Sequence, residues 1–286
     1  MMNTAIAQLD KMRIKYTDIQ QIHSKDGIYL FRIKCDDSSY VLKYFENEAY
    51  CREIHNYSIL KSLNIPTIKI VSSTDCCLLM EDIEQSVSFR LGIEKDMNDV
   101  TVAARIAEWY RVLHKRGKIF VSENKSNLYD ENDFISLENI AFIKSKTGTG
   151  NSPVWMEIER NFSSIRSLVN RAERTLTYND FYYTNLIVAN DKTSAYMFDY
   201  NLLGKGYAYA DIRNVCSSLG EEAKKAFLRE YGDYDESEKV IDDVASVIVT
   251  LYFACKQDSF QKWGDPYLDS INNGFSDKVK ILLEYI

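Results

Sequence analysis

One stretch constrains this chain more than any other: Leu176 to Asn185, LTYNDFYYTN, followed fourteen residues later by Asp199 in the run AYMFDYN. An apolar lead-in, an aspartate, four residues, an asparagine, a short strand and a second aspartate make the skeleton of a phosphoryl-transfer centre. Such a centre needs one carboxylate to accept the proton of a substrate hydroxyl. It also needs an amide oxygen and a second carboxylate to hold Mg²⁺ against phosphates. Asp180 fits the first role, and Asn185 and Asp199 fit the second. The D-x4-N spacing arises by chance in many chains, so its meaning depends on whether the remaining parts occur in the right order.

They do, beginning near the N-terminus. Residues 1–17 are a polar, mildly amphipathic lead-in, and from Ile19 to Phe45 apolar and polar residues alternate, with breaks at SKDG and DDSS. That pattern predicts a three-stranded antiparallel meander whose first turn, Ser24 to Gly27, is a hairpin with a single glycine. Lys43 ends the third strand among Val41, Leu42, Tyr44 and Phe45. A lysine there is expensive to bury unless it meets an anion. Glu48 to Leu63 has a helical pattern in which Glu53, Tyr57 and Leu60 share a stripe, so Glu53 is the expected ion partner of Lys43, with Glu48 the alternative. Strands are expected at Thr67–Ser72 and Cys76–Met80, and Glu81, Asp82 and Ile83 then form a short acidic connector.

From Val100 the period becomes helical, with Ala103, Ile106, Ala107, Tyr110, Leu113 and His114 on one stripe. His114 is expected to be packed and hydrogen-bonded rather than a ligand. Between Lys115 and Pro153 the chain reads as polar and irregular, and Trp155 to Ala172 as one helix leading into the central stretch. After it, a strand at Leu186–Ala189 pairs with Tyr196–Phe198. Asp211 is expected to cap a helix, and from Ser237 a helix buries Val240, Ile241, Val244, Val247, Ile248 and Leu251.

The composition excludes several classes. Lys+Arg 35 against Asp+Glu 42 gives a net charge of −7, which argues against a nucleic-acid partner and is compatible with a cationic small molecule. Six cysteines without a CxxC spacing and only three histidines make a structural zinc site unexpected, and suggest reduced thiols in a cytoplasm. The longest apolar stretch, Val244 to Cys255, is too short to span a bilayer, so no membrane partner is expected.

Lys43, Glu53, Asp180, Asn185 and Asp199 stand in the order found in kinases. With Pro66 after the helix, the MEDI connector, the helix segment RVLH and the later FDY, the chain resembles the aminoglycoside phosphotransferase family. That family lies within the wider kinase-like group that includes choline kinases. The resemblance runs from about Ile19 to Cys255 and is most specific over Tyr178 to Asp211. It implies an α+β, bilobal protein-kinase-like fold: a small mixed lobe with an antiparallel sheet at 1–80, a hinge at 81–84, and a larger, mainly helical lobe at 85–286. It also implies ATP or GTP with Mg²⁺, the nucleotide being held by Lys43, Glu53, Glu81, Ile83 and Ile187. The expected reaction moves the terminal phosphate to a hydroxyl of a small, cationic molecule. An aminoglycoside antibiotic is the first expectation, which would make the enzyme a resistance factor. A choline or amino-alcohol kinase is the alternative, and an inactive nucleotide-binding scaffold a third.

The chain departs from the family's H-G-D-x4-N at two positions, where Tyr178 and Asn179 replace histidine and glycine. An N-D pair and the stretch FDYNLLGKGYAYADI are instead reminiscent of choline kinases. An aminoglycoside needs acidic residues to meet its ammonium groups, and Glu221, Glu222, Asp235, Glu236 and Asp243 are the candidates. Choline needs aromatic walls for a quaternary ammonium, and Trp155, Tyr182, Tyr183, Tyr207 and Trp263 are available.

Overall fold

The alternation between Ile28 and Phe45 produces an antiparallel sheet because Phe31, Ile33, Leu42 and Phe45 are buried, whereas the strand before them, Asp18–Lys25, is exposed at every residue but the half-buried Ile19. The computed structural model describes residues 1–123 and 128–286. In chain order its elements begin with α1 (Met2–Lys11), β1 (Asp18–Lys25), β2 (Ile28–Lys34), β3 (Ser39–Phe45), α2 (Arg52–Ser62), β4 (Ile70–Thr74), β5 (Cys77–Glu81) and β6 (Phe89–Leu91). Then come α3 (Val100–Glu123), α4 (Leu137–Thr147), α5 (Pro153–Arg160), α6 (Phe162–Arg171), β7 (Thr175–Thr177), β8 (Leu186–Ala189), β9 (Ala195–Met197) and β10 (Gly204–Gly206). The last are α7 (Ala208–Ser218), α8 (Glu221–Tyr231), α9 (Glu236–Lys256), α10 (Asp265–Ser270) and α11 (Phe275–Leu283). This is an α+β chain with an N-terminal antiparallel sheet and a larger helical remainder.

The chain divides into two units. The first comprises Met1–Leu113, Tyr178–Leu203 and Asn214–Gly232. Its main sheet has five strands in the order β1-β2-β3-β5-β4, all antiparallel. The β1–β2 turn is closed by Asp26 (φ 51°) and Gly27 (φ 79°) between the paired Lys25 and Ile28. Two successive positive φ values are what a tight hairpin turn requires, and Asp-Gly supplies them at low cost. The lead-in is not loose: α1 buries Ala5 and Leu9 completely in the same cluster as Phe31, Ile33, Leu42 and Leu79. A second sheet, β6-β8-β9, carries the chain past the D-x4-N loop.

The second unit comprises His114–Thr177, Gly204–Arg213 and Asp233–Ile286. Its core is built on α9, whose Ile241, Val244, Val247, Ile248 and Leu251 pack with Trp155, Ile158, Ile165 and Phe275. Three expectations are corrected here. The stretch from Lys115 to Pro153 is not irregular, because α3 continues to Glu123 and α4 spans Leu137–Thr147; residues 124–127 within that stretch lie outside the described ones. The helix expected over Trp155–Ala172 is two helices separated at Asn161. Asp211 does not open α7, which starts at Ala208, but lies inside its first turn, fully buried, with His114 Nε2 3.1 Å from its Oδ2. The N-terminal cap of α9 is Asp235, whose side chain accepts the Ser237 N–H. No helix among the described residues is long and apolar enough to cross a membrane.

Candidate active site

The first unit holds a cavity of about 440 Å³ lined by the β1–β2 hairpin (Lys25, Asp26), Lys43, Glu53, the β5 end and connector (Met80 to Glu84), and Asp199. Lys43 lies in β3 between Leu30 of β2 and Leu78 of β5, only 5% exposed, which removes water as a solvating partner. Its Nζ is 2.7 Å from Glu53 Oε2 and 2.9 Å from Asp199 Oδ1. Burial alone would lower the lysine pKa, but the two carboxylates outweigh it, so the ammonium is held charged. Glu53, in the first turn of α2, is completely buried, and burial pushes its pKa up to about 7 against the opposing pull of Lys43.

One face of α2 does more than supply that glutamate. Arg52 Nε donates to Asn201 Oδ1 at 3.1 Å, Asn56 Nδ2 donates to the Tyr200 carbonyl at 2.7 Å, and the Asp199 N–H donates to Tyr57 Oη at 3.4 Å. Positions 52, 53, 56 and 57 fall on one side of a helix. Together they grip residues 199–201, and the contact between Lys43 and Asp199 falls at the same place. Arg52 and Asn56 were not among the residues expected from the sequence. The available signal was an asparagine three positions after Glu53, on the same stripe and therefore buried, where its amide needs a partner.

Asp199 has φ 61° and Asn179 φ 65°, a left-handed conformation that short polar side chains tolerate better than most. At Asn179, where glycine is usual in the resembling family, the side chain compensates: its Nδ2 donates to the Leu202 carbonyl at 3.0 Å. The neighbouring Tyr178 is fully buried, and its hydroxyl donates to the Phe198 carbonyl at 2.5 Å. Both substituted positions therefore tie the loop ahead of Asp180 to the segment around Asp199.

Within the loop, Asn185 Nδ2 donates to Asp180 Oδ2 at 3.1 Å and to the Asp180 carbonyl at 3.2 Å, and the Phe198 N–H donates to the Asn185 carbonyl at 3.0 Å. The Asp180 pKa is pushed up to about 6, first by burial and then by the Asp199 carboxylate, with Asn185 and Lys43 opposing. With its amide hydrogens directed at Asp180, Asn185 keeps its side-chain oxygen as the group able to meet a cation. That oxygen and the Asp199 carboxylate form an all-oxygen donor set of the type hard divalent ions take. No cluster of three His, Cys, Asp or Glu side chains suited to a metal occurs among the described residues, so an ion here would complete its shell from phosphates and water.

The other expected residues divide. Glu81 and Ile83 line the cavity, the Glu81 Oε1 accepting the Lys69 N–H at 2.8 Å. Ile187 is fully buried in β8 and does not line it. The connector is pinned rather than loose: Asp82 accepts from Arg32 Nε and Ser39 Oγ, each at 2.7 Å, and Arg32 also meets Glu84. Among the acidic residues, Glu222 pairs with Lys225 at 2.7 Å, Glu236 with Lys239 at 3.5 Å and Asp243 with Lys278 at 2.9 Å. Glu221 opens α8 and Asp235 caps α9.

No protein-family model matches the chain, and no curated protein does. Solved structures do. Choline kinase LicA from Streptococcus pneumoniae aligns over 96% of this chain and 99% of its own, with 16% identity and a TM-score of 0.61. The ethanolamine kinase of Plasmodium vivax covers 91% of this chain and 84% of its own at 15% identity and a TM-score of 0.60. The macrolide 2'-phosphotransferase MphH from Brachybacterium faecium covers 93% and 96% at 11% identity and a TM-score of 0.60. This chain has the protein-kinase-like fold. Within that kinase-like fold the lysine strand, the α2 glutamate and the D-x4-N loop belong to one compact unit of the molecule, assembled from three chain segments.

Proposed function

We propose that this protein is a small-molecule kinase that moves the terminal phosphate of ATP or GTP to a hydroxyl of an organic cation. The observation that carries the reading is Lys43, charged and buried, shared between Glu53 and Asp199 at the wall of a cavity large enough for a nucleotide. Lys43 would bind the α- and β-phosphates, and Glu53 would fix the lysine's position. Asp199 and Asn185 would hold Mg²⁺, which neutralises phosphate charge when bound. Asp180 would orient the acceptor hydroxyl and take its proton, a task its raised pKa suits because the carboxylate is ionised yet basic at neutral pH. Proteins of the same fold carry the names choline kinase, ethanolamine kinase and macrolide phosphotransferase, which supports the reaction class.

For the acceptor, the aminoglycoside reading relies on Glu221, Glu222, Asp235, Glu236 and Asp243. Three of these already have a lysine beside them and a fourth is used as a helix cap. That favours the second reading, an amino alcohol carrying a single positive charge. The inactive-scaffold reading is disfavoured because Lys43, Glu53, Asp180, Asn185 and Asp199 are all retained. The test is nucleotide-dependent phosphate transfer across a panel of aminoglycosides, macrolides, choline and ethanolamine, with ATP and GTP and with Mg²⁺ present or chelated. Transfer to one acceptor, abolished by Asp180→Asn, is the expected result. Nucleotide binding without transfer to any acceptor would defeat the reading in favour of a scaffold.

A further inference from the structure

The pairing of the first three strands sets the order of side chains along the cavity. Directly paired residues of an antiparallel sheet point to the same face, and so do residues two apart on one strand. Arg32 pairs with Val41, Leu30 with Lys43, and Ile28 with both Phe45 and Lys25. Counted from the connector end, where Arg32 meets Asp82, the sheet therefore presents Arg32, then Lys43, then Lys25, and all three line the cavity. Lys25 stands two strands and two residues from Lys43. At ordinary strand spacings their Cα atoms are roughly 12 Å apart, a gap that a chain of phosphates can bridge.

The three cations differ in what already holds them. Arg32 donates to Asp82 and meets Glu84, and Lys43 is shared between Glu53 and Asp199. Lys25 is exposed, and among the described residues its ammonium has no ion pair and no hydrogen bond. A polyanion entering so acidic a wall needs positive charge that no carboxylate has engaged. The backbone of the turn is poorly built to supply it. A loop that cradles phosphate with N–H groups runs over several residues and uses glycines for close approach. This turn is two residues long with one glycine, and the Gly27 carbonyl is tied to the Glu46 N–H at 2.9 Å.

We infer that Lys25 is the ligand of the nucleotide's terminal phosphate, a side chain doing at the hairpin tip what backbone N–H groups do in a glycine-rich loop. The inference rests on the phosphotransferase reading and adds to it the group that tells a nucleoside triphosphate from a diphosphate. With Glu81 and Ile83 at the base and Lys43 on the α- and β-phosphates, the next cation along the same face meets the third phosphate. Asp26 also lines the cavity, and its carboxylate opposes the lysine at the same tip.

The experiment measures nucleotide binding by calorimetry on the full chain with Mg²⁺ present, using AMP, ADP and the non-hydrolysable β,γ-imido analogue of ATP as probes. Lys25→Met is expected to weaken the triphosphate analogue about tenfold, ADP by less than about threefold and AMP not at all, with Lys25→Arg close to wild type. Asp26→Asn removes the opposing charge and keeps a residue that tolerates φ 51°, so it is expected to tighten the triphosphate about threefold. Both positions are exposed, so these variants are expected to fold. An unchanged triphosphate affinity in Lys25→Met, an equal loss for all three nucleotides, or weaker triphosphate binding in Asp26→Asn would each overturn the inference. If the wild type binds all three nucleotides and Lys25→Met changes nothing, only the lysine's role falls. If the wild type binds none of them, the phosphotransferase reading falls as well.

Discussion

Tyr178 and Phe198 are joined by a hydrogen bond of 2.5 Å from the tyrosine hydroxyl to the phenylalanine carbonyl, twenty residues apart in sequence. The bond ties the residue two places before Asp180 to the residue just before Asp199, so it sets the spacing of two carboxylates that must act together. Tyr178→Phe removes only the hydroxyl and takes this donor from the half-buried Phe198 carbonyl. The expected cost is about 1–3 kcal/mol of stability by chemical denaturation, together with a fall in kcat larger than the change in nucleotide Kd. Wild-type stability and turnover in the variant would show that the bond positions nothing.

The Lys43–Glu53 pair sets a different expectation. Removing one member strands a buried charge, so Lys43→Met should destabilise by about 3–5 kcal/mol. Adding Glu53→Leu should restore much of that stability while nucleotide affinity stays lost. Urea denaturation and nucleotide titration of the single and double variants separate the two effects. Affinity restored along with stability would mean that the lysine does not hold phosphate.

Asp180 sets the pH dependence. With its pKa raised from an ordinary 3.8 to about 6, kcat/KM is expected to decline below about pH 6 as the base is protonated. The same shift has a stability sign. A raised carboxylate pKa means the folded state binds the proton more tightly than the unfolded chain. The resulting stabilisation is full below pH 3.8 and is lost as pH rises through about 6. Asp180→Asn, which mimics the protonated form, should therefore melt higher than wild type at pH 8 and close to it near pH 4, while losing about 10²- to 10⁴-fold in turnover. Melting curves at both pH values and a pH–rate profile check both halves.

Gly92 lies far along the chain from the loop it supports. A methyl group there would meet the Tyr183 carbonyl at 2.4 Å and Leu186 Cβ at 2.9 Å, so the loop must move. Gly92→Ala is expected to lower kcat by more than about tenfold, since small misplacements at a reacting centre are costly, with nucleotide affinity nearly kept. Full turnover in the alanine variant would show that the loop tolerates the shift.

The readable parts of this chain are those with one buried face repeated over several residues. The strands from Ile28 to Phe45 and α9 were visible for that reason, because alternation and a helical stripe each survive in the residue order; β1 alternates too but is exposed along almost its whole length. The strands β6, β7 and β10 have three residues each, too few for any period. α3 outran its apolar stripe, since beyond His114 it carries the exposed Lys115, Arg116 and Lys118 around a buried Gly117. At the site, Lys43 and Glu53 were paired from their local patterns, and they stand 2.7 Å apart. The Lys43–Asp199 contact joins residues 156 positions apart, and no local pattern encodes it. The same is true of Arg52 and Asn56, whose partners lie far downstream, and of Asp243, whose lysine is 35 residues away, whereas Glu222 and Glu236 meet lysines one turn along their own helices.

The left-handed backbone at Asp199 narrows what can ever stand there. A glutamate would keep the charge but meet the steric penalty that longer L-residues incur at φ 61°, and glycine would accept the angle but supply no oxygen. Asparagine alone satisfies the geometry while cancelling the charge. A laboratory seeking an inert yet well-folded copy of this protein, for trapping a ligand or for crystallising a complex, has its substitution dictated by a single torsion angle.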